Sequence, residues 1–521
     1  MPSADENRTA ALERCFREAV RLYEAGRFDA AETAVLEVLR QASGHASSHS
    51  LRGGIWLARG DAERAALSFV RAVRLDDRNP GYRSNLAQAL FRAGRATDAF
   101  DSFETAVSLA PDDISIRGNY ASSLRQMNRA EDAVQQLRQA LRQAPADAEL
   151  LGSLGNCLTD LGQFSEAEEA YRSAVAMNPD HAGAAYNLAL FLLRAGLLDE
   201  GLKYYESRWL LPGWRLRPFR ADPWSGDLPG VRGKRILVWG EQGLGDEILF
   251  SGGLQALINA GAGVTLECEA RLAPLMRRSW PEISIYSALD PPDAGLQGQV
   301  FDFQTPIGSL PYLLGVRSAR EFGQLPPGLV PDTGLVERLR RKYRKDDTAL
   351  IVGISWRSGA STIAGRKSAA LDLWEDVLTT PGVRFVDLQY GDTATERSAV
   401  EQKTGIRLLH DPDIDSNHDL DAFAAQVAAM DHVVTISNAT AHFAGALGVP
   451  TDLLLCNGAL WHWFAGMSGS PHYPSLKLHR QQTPGDWRAM LSDVADNLRA
   501  ATGATGAEHR RQKHADFRLR T

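Results

Sequence analysis

The sequence predicts an α-solenoid followed by two half-size, doubly wound α/β domains in tandem, and three observations carry that reading. One spacing of 34 residues runs unbroken through the first part of the chain. The later part alternates short apolar runs with helical stretches, and does so twice. Between them lies a segment rich in proline, glycine and tryptophan that fits neither pattern. At 521 residues the chain is too long for a single core, and about three domains is the expectation from length.

The first part is built on Gly26, Gly60, Gly94, Asn128, Gly162 and Gly196, each 34 residues from the next. Five residues after each mark comes Ala31, Ala65, Ala99, Ala133, Ala167 and then Gly201; seven before lie Ala19, Gly53, Ala87, Ala121, Gly155 and Ala189. Pro111, Pro145 and Pro179 close three of the units. Small residues let two antiparallel helices approach closely, and Gly or Asn takes the turn between them. This 34-residue helix-turn-helix pattern resembles the tetratricopeptide repeat. One unit alone leaves an apolar face in water, so units stack, and a solenoid over 8–209 is expected to bind another polypeptide. Nine residues before each mark fall Arg17, Leu51, Asn85, Asn119, Ser153 and Asn187. Asn is a poor helix-interior residue. At Asn85, Asn119 and Asn187 its amides offer both donor and acceptor to an extended peptide backbone on the concave face. Sporadic polar substitution on a solvated face is the alternative.

Composition narrows the function. A net charge of -7 argues against a general nucleic-acid or membrane-surface role. The one basic run, Arg510, Arg511, Lys513, Arg518 and Arg520, falls in a tail over 503–521 that reads as flexible. Cys15, Cys157, Cys268 and Cys456 stand far apart and read as reduced thiols rather than a disulfide frame or zinc site. No apolar leader and no membrane-length apolar run is present, so a soluble, cytoplasmic protein is expected.

Residues 210–233 read as a linker, with Trp214, Phe219 and Trp224 suited to fastening it against a surface. A first α/β domain is expected over 234–346. Its strands are RILVWG (235–240), GVTLECE (263–269) and ISIYSA (283–288), with helices at 246–260 and 271–279. The segment from Pro306 to Asp332 yields no assignment. A second domain over 347–502 begins at ALIVGISW (349–356). It continues with a helix at 371–380, VRFVDLQYG (383–391), a helix at 419–430, HVVTISN (432–438) and a helix at 439–447. PTDLLLCN (450–457), LKLHRQ (476–481) and a helix at 486–501 complete it. Such alternation implies parallel sheets, with a ligand cleft beyond the carboxyl ends of the strands.

Three stretches carry chemistry. Gly240-Glu241-Gln242-Gly243-Leu244-Gly245-Asp246 joins a strand to a helix, where glycines allow close backbone approach and a helix start favours anions. Its GxxGxG spacing is off the dinucleotide fingerprint, although Glu267 and Glu269 stand where a ribose-binding acid would. For Asp246, a helix N-cap and a catalytic base both fit. Ser437-Asn438-Ala439-Thr440-Ala441-His442 is a second strand-to-helix turn. Ser437, Asn438 and Thr440 with free N–H groups suit a diphosphate, and His442 could donate to it; a capped helix with a satisfied histidine is the plainer reading. Arg366-Lys367 follows ISWRSGAST, where Lys367 could neutralise a leaving phosphate without a metal, or be an ordinary surface cation. No Asp-x-Asp stands between strands, and Asp411, Asp413 and Asp415 lack the pattern of a calcium loop.

With these motifs in place, the chain resembles tetratricopeptide glycosyltransferases. Repeats joined to two such domains look like O-linked N-acetylglucosamine transferase, whose asparagine ladder Asn85, Asn119 and Asn187 match in part. The later domains look closer to the heptosyltransferase-like family, which implies the glycosyltransferase-B (GT-B) fold. The resemblance implies that the loop with Gly243 and Gly245 ends in the base Asp246, and that Lys367 is the phosphate-proximal lysine. The family's Asp-Thr-Gly-x-x-His motif would fall on Ser437-Asn438-Ala439 and His442. The replaced acid and glycine point to a donor other than ADP-heptose. The implied activity is metal-independent transfer from a nucleotide sugar to Ser or Thr of an acceptor protein, flagellin among the candidates, with no further cofactor. A scaffold or chaperone with an inactive transferase half, and a lipopolysaccharide-type sugar transferase, are the alternatives.

Overall fold

The computed structural model describes residues 4–344, 349–359 and 364–503. The basic tail beyond 503 lies outside the described residues. The chain divides into two compact units, Met1–Asn187 and Leu188–Thr521.

The first unit is a run of paired helices, 13 residues in the first member and 14 in the second, from Ala46–Ala58 with Ala62–Leu75 to Ala148–Asp160 with Phe164–Met177. The turn marks do what their identity requires. Gly26, Gly60, Gly94 and Gly162 have φ between +71° and +82°, and Asn128 has +58°, the left-handed region where a side chain is strained. Gly60 N–H donates to the Leu57 carbonyl and Asp61 N–H to that of Trp56, which closes the helix end. Small residues sit where the helices cross. A Cβ on Gly53 would stand 2.7 Å from the Phe69 ring and one on Gly155 2.6 Å from Tyr171, while Ala31, Ala65, Ala99, Ala133 and Ala167 have no exposed surface. Asp113 and Asp147 cap the helices that follow Pro111 and Pro145 by accepting from Ile116 and Leu150 N–H.

The second unit begins inside the helix Ala182–Arg194 and takes in the helix Leu198–Tyr205 and the 3₁₀ turn Glu206–Leu210, which the sequence assigns largely to the solenoid. It holds two five-stranded sheets, parallel throughout. The first contains β1 (Asp222–Pro223), β2 (Arg235–Trp239), β3 (Gly263–Cys268), β4 (Ser284–Ser287) and β5 (Phe303–Pro306), in the order β1-β5-β2-β3-β4. The second contains β6 (Leu350–Ser355), β7 (Val383–Asp387), β8 (His432–Ile436), β9 (Thr451–Leu455) and β10 (Leu476–Arg480), in the order β10-β9-β8-β6-β7. Its core packs Val352, Ile354, Trp356, Trp374, Val434, Ile436 and Leu454 against the closing helix Arg488–Gly503.

Several elements differ from expectation. The linker contributes β1 to the sheet edge, with buried Trp224 donating its N–H to the Gln304 carbonyl and Arg217 held by Glu267. The segment from Pro306 contains the short helices Leu310–Leu313 and Ala319–Phe322, and the sequence reading missed β5 and the helices Thr333–Tyr343 and Ala394–Thr404. The expected helix at 371–380 is two short turns, Leu371–Leu373 and Glu375–Leu378. The expected strand at 383–391 stops at Asp387, because the chain turns there and the Gln389 side chain accepts from Trp356 and Arg357 N–H instead.

Candidate functional site

Each sheet reverses its strand order beside its first long strand, between β2 and β5 and between β6 and β8. Loops leaving such strands splay apart, and the crevice they leave is where open α/β sheets bind ligands. The glycine loop leaves β2, residues 356–359 leave β6, and Ser437–His442 leave β8.

The glycine loop is held from below. Arg208, with no exposed surface, forks onto both carboxylate oxygens of Glu241 at 2.9 and 2.7 Å, and also donates to Glu206 and Ser309. Gly308 N–H adds a third donor to Glu241, a satisfied arrangement for a buried ion pair. Gln242, at φ +67°, accepts from the Tyr205 hydroxyl. The helix that follows, Leu244–Phe250, has Gly243 as its N-cap. Asp246 is therefore not the cap. It is the third helical residue, and its own N–H donates to the Gly243 carbonyl. Burial raises its pKa to about 6, with Gly243 lowering it, Glu241 raising it and Lys367 lowering it. Beneath it, Glu247 accepts from Glu269 N–H, and burial pushes its pKa up to about 8.

The opposite wall is the start of the helix Ala439–Ala446. Asn438 caps it, accepting from Thr440 N–H, while its amide donates to Ser355 Oγ and the Arg357 carbonyl. That amide is thus committed to the protein and is not free for a diphosphate, contrary to the sequence expectation. Ser437 accepts from the Trp463 indole and keeps its own O–H to give. His442, 4 % exposed, pairs Nδ1 with the Tyr473 hydroxyl, and burial holds its pKa down to about 3. When Tyr473 donates, the proton of this neutral ring is on Nε2. The ring edge abuts Gly245, where a Cβ would stand 2.6 Å from Cδ2 and 3.0 Å from Nε2. Lys367 is 6 % exposed, and burial lowers its pKa, opposed by Cys456 and Asp246. Among the described residues it has no hydrogen-bond or ion-pair partner. Its side chain lines the cavity, where an anion would offset the cost of burying its charge.

Gly245, Asp246, Lys367, Ser437, Asn438, Thr440 and His442 all line one cavity of about 350 Å³. Gly243 acts behind it, as the helix cap. Arg271 spans the cavity from the first sheet, joining Glu269 and the Asn417 carbonyl. Sequence reasoning did not select Arg271, Tyr390, Asn417 or His462, which also line it; only the tryptophans flanking His462 hinted at a packed turn. The ribose-binding role considered for Glu267 is not open to it, since Arg217 takes both its oxygens. Residues 360–363 of the loop after β6 lie outside the described residues. In the other unit, Asn85 is half-buried and Asn119 exposed, while Asn187 is half-buried beside Gly152. Among the described residues, no helix is long and apolar enough to cross a membrane, and no cluster of three or more His, Cys, Asp or Glu could hold a metal.

The paired helices and their turns define tetratricopeptide repeats, and comparison with known families agrees. Residues 16–80, 59–114 and 158–220 match one tetratricopeptide repeat model, and residues 90–157 match another. Protein FlbA of Caulobacter vibrioides is a relative, 33% identical over 335 residues, covering 60% of this chain and 54% of FlbA. The chain thus spans about half the length of that relative. Among solved structures, the tetratricopeptide protein TTC0263 of Thermus thermophilus is 21% identical with a TM-score of 0.32, covering 35% of this chain and 99% of its own. PilF of Pseudomonas aeruginosa is 16% identical with a TM-score of 0.34, covering 40% and 95%.

Proposed function

We propose that this protein is a glycosyltransferase of the GT-B type that moves a sugar from a nucleotide-activated donor to a Ser or Thr hydroxyl of a polypeptide bound by its repeats. The observation that carries this reading is the meeting of Asp246, Lys367, His442 and the helix start at Asn438 around one cavity at the switch points of two parallel sheets. Asp246 accepts the hydroxyl proton as the acceptor oxygen bonds to the anomeric carbon. The bond from that carbon to the diphosphate breaks, and its electron pair stays on the phosphate oxygen. Lys367, the N–H groups of the helix start and Nε2–H of His442 meet the charge that develops there. Asp246 must be ionised, so turnover should fall below about pH 6.

Incubation of the full chain with a panel of nucleotide sugars and candidate acceptors, flagellin included, should add one sugar mass to an acceptor. Unchanged acceptor mass with every donor rejects transfer to protein. Ser437 and Ala439, where the resembled family has an acid and a glycine, favour a second reading, a binding protein without transferase activity. Failure to bind UDP, ADP, GDP or CMP in calorimetry would support that alternative.

A further inference from the structure

His462 lies in the turn Trp461–Trp463 and is 2 % exposed, yet neither of its ring nitrogens has a hydrogen-bond partner among the described residues. Its ring borders the cavity beside His442, with centroids 5.0 Å apart, and packs edge-on against Trp463 at 4.7 Å. The two imidazoles differ in kind: His442 is anchored through Tyr473, whereas His462 keeps both nitrogens for something else. An uncharged imidazole has one N–H and one lone pair. A hydroxyl group also gives one hydrogen and accepts another, so the two match, whereas phosphate oxygens only accept. Burial, and the nearness of His442, His472 and Lys367, all disfavour the charged form that would serve a phosphate.

We propose that His462 hydrogen-bonds a hydroxyl of the donor's sugar, a role that rests on the nucleotide-sugar reading of the cavity. It makes the cavity two-part, with Lys367 and the helix start for the diphosphate and His462 for the hydroxylated group to be transferred. A site that hydrogen-bonds a hydroxyl discriminates strongly against ligands lacking it, because its own buried polar atoms are then left unpaired.

The test titrates the full chain calorimetrically with UDP, ADP and GDP, each alone and as UDP-N-acetylglucosamine, ADP-glucose and GDP-mannose. His462→Phe should weaken the best nucleotide sugar roughly 10- to 100-fold while its free diphosphate binds within about 2-fold of wild type. His462→Gln, which restores a donor and an acceptor, should recover part of the loss. His472 is also buried with both nitrogens unpaired but does not border the cavity, so His472→Phe should leave the preference unchanged. Melting curves show whether each variant is folded, and His462→Leu replaces the Phe variant should that one fail. Equal weakening of sugar-bearing and free diphosphate, or no weakening of either, overturns the proposal alone. Absence of any nucleotide binding by wild type overturns the nucleotide-sugar reading and this proposal with it.

Discussion

Opposing influences set the pKa of Asp246, the base of the proposed transfer. Burial favours its neutral form, while Gly243 N–H and Lys367 favour the carboxylate, leaving a pKa of about 6. Asp246→Asn should lower turnover by roughly 10² to 10⁴ and hardly alter nucleotide affinity, because the acceptor side is what changes. The pKa is raised from 3.8, so this group's contribution to stability is complete below that value and is lost as pH rises through about 6. At pH 8 the Asn variant should therefore melt no earlier than wild type. Near-normal turnover combined with earlier melting would make Asp246 a structural residue and place the base elsewhere. Gly245 makes a separate point. Its φ is ordinary, so what excludes a side chain is the His442 ring, 2.6 Å from where a Cβ would stand. Gly245→Ala must shift that ring. It should cost about 1–3 kcal/mol of stability and weaken diphosphate binding, measurable by denaturant melts and calorimetry; unaltered affinity would remove His442 from the phosphate site.

The helix Leu244–Phe250 carries a second buried acid, Glu247, whose pKa of about 8 leaves it largely protonated at neutral pH. Its folded value lies above the ordinary 4.5, so stability should fall as pH rises from there to about 8, by up to about 1.4 kcal/mol per pH unit. Glu247→Gln keeps an acceptor for Glu269 N–H and should flatten that slope; chemical denaturation at pH 5 and pH 8 decides, and an unchanged slope refutes the assignment. At this scale the sequence was legible wherever geometry dictates residue type. A left-handed helix exit admits little besides Gly or Asn, so the repeat turns declare themselves down to Asn128. The two strand-to-helix turns at 240–246 and 437–442 were equally readable, and with them eight of the residues that line the cavity. Elements defined by partners were not. Strand β5 reads FQTP and is a strand because β2 pairs with it, and β1 is two residues of an apparent linker. Glu241 gave no sign that Arg208, 33 residues earlier, holds it. His462 becomes notable only once its turn is seen to border the cavity.

The division of the whole molecule falls inside the repeat pattern rather than at its end. Gly196 and Gly201 keep the 34-residue register, yet the residues around them serve the second unit. The Arg194 carbonyl accepts from Ala465 N–H at 2.7 Å, Leu197 bridges Ser318, Tyr205 holds Gln242 and Arg208 holds Glu241. Residues 194–208 thus belong with the second unit, and Tyr205 and Arg208 support the glycine loop itself. Two truncations separate the roles. A chain starting at Ala182 keeps the helix Ala182–Arg194 whole together with every one of these contacts. It should fold, bind nucleoside diphosphate as the full chain does, and lose transfer to a protein acceptor. A chain starting at 210, where sequence alone would cut, leaves Glu241 buried without its guanidinium. Stranding one partner of a buried pair costs about 3–5 kcal/mol, so this shorter chain should melt far earlier and bind nucleotide poorly. Equal melting temperature and equal affinity in the two truncations would show that residues 182–209 do not support the glycine loop.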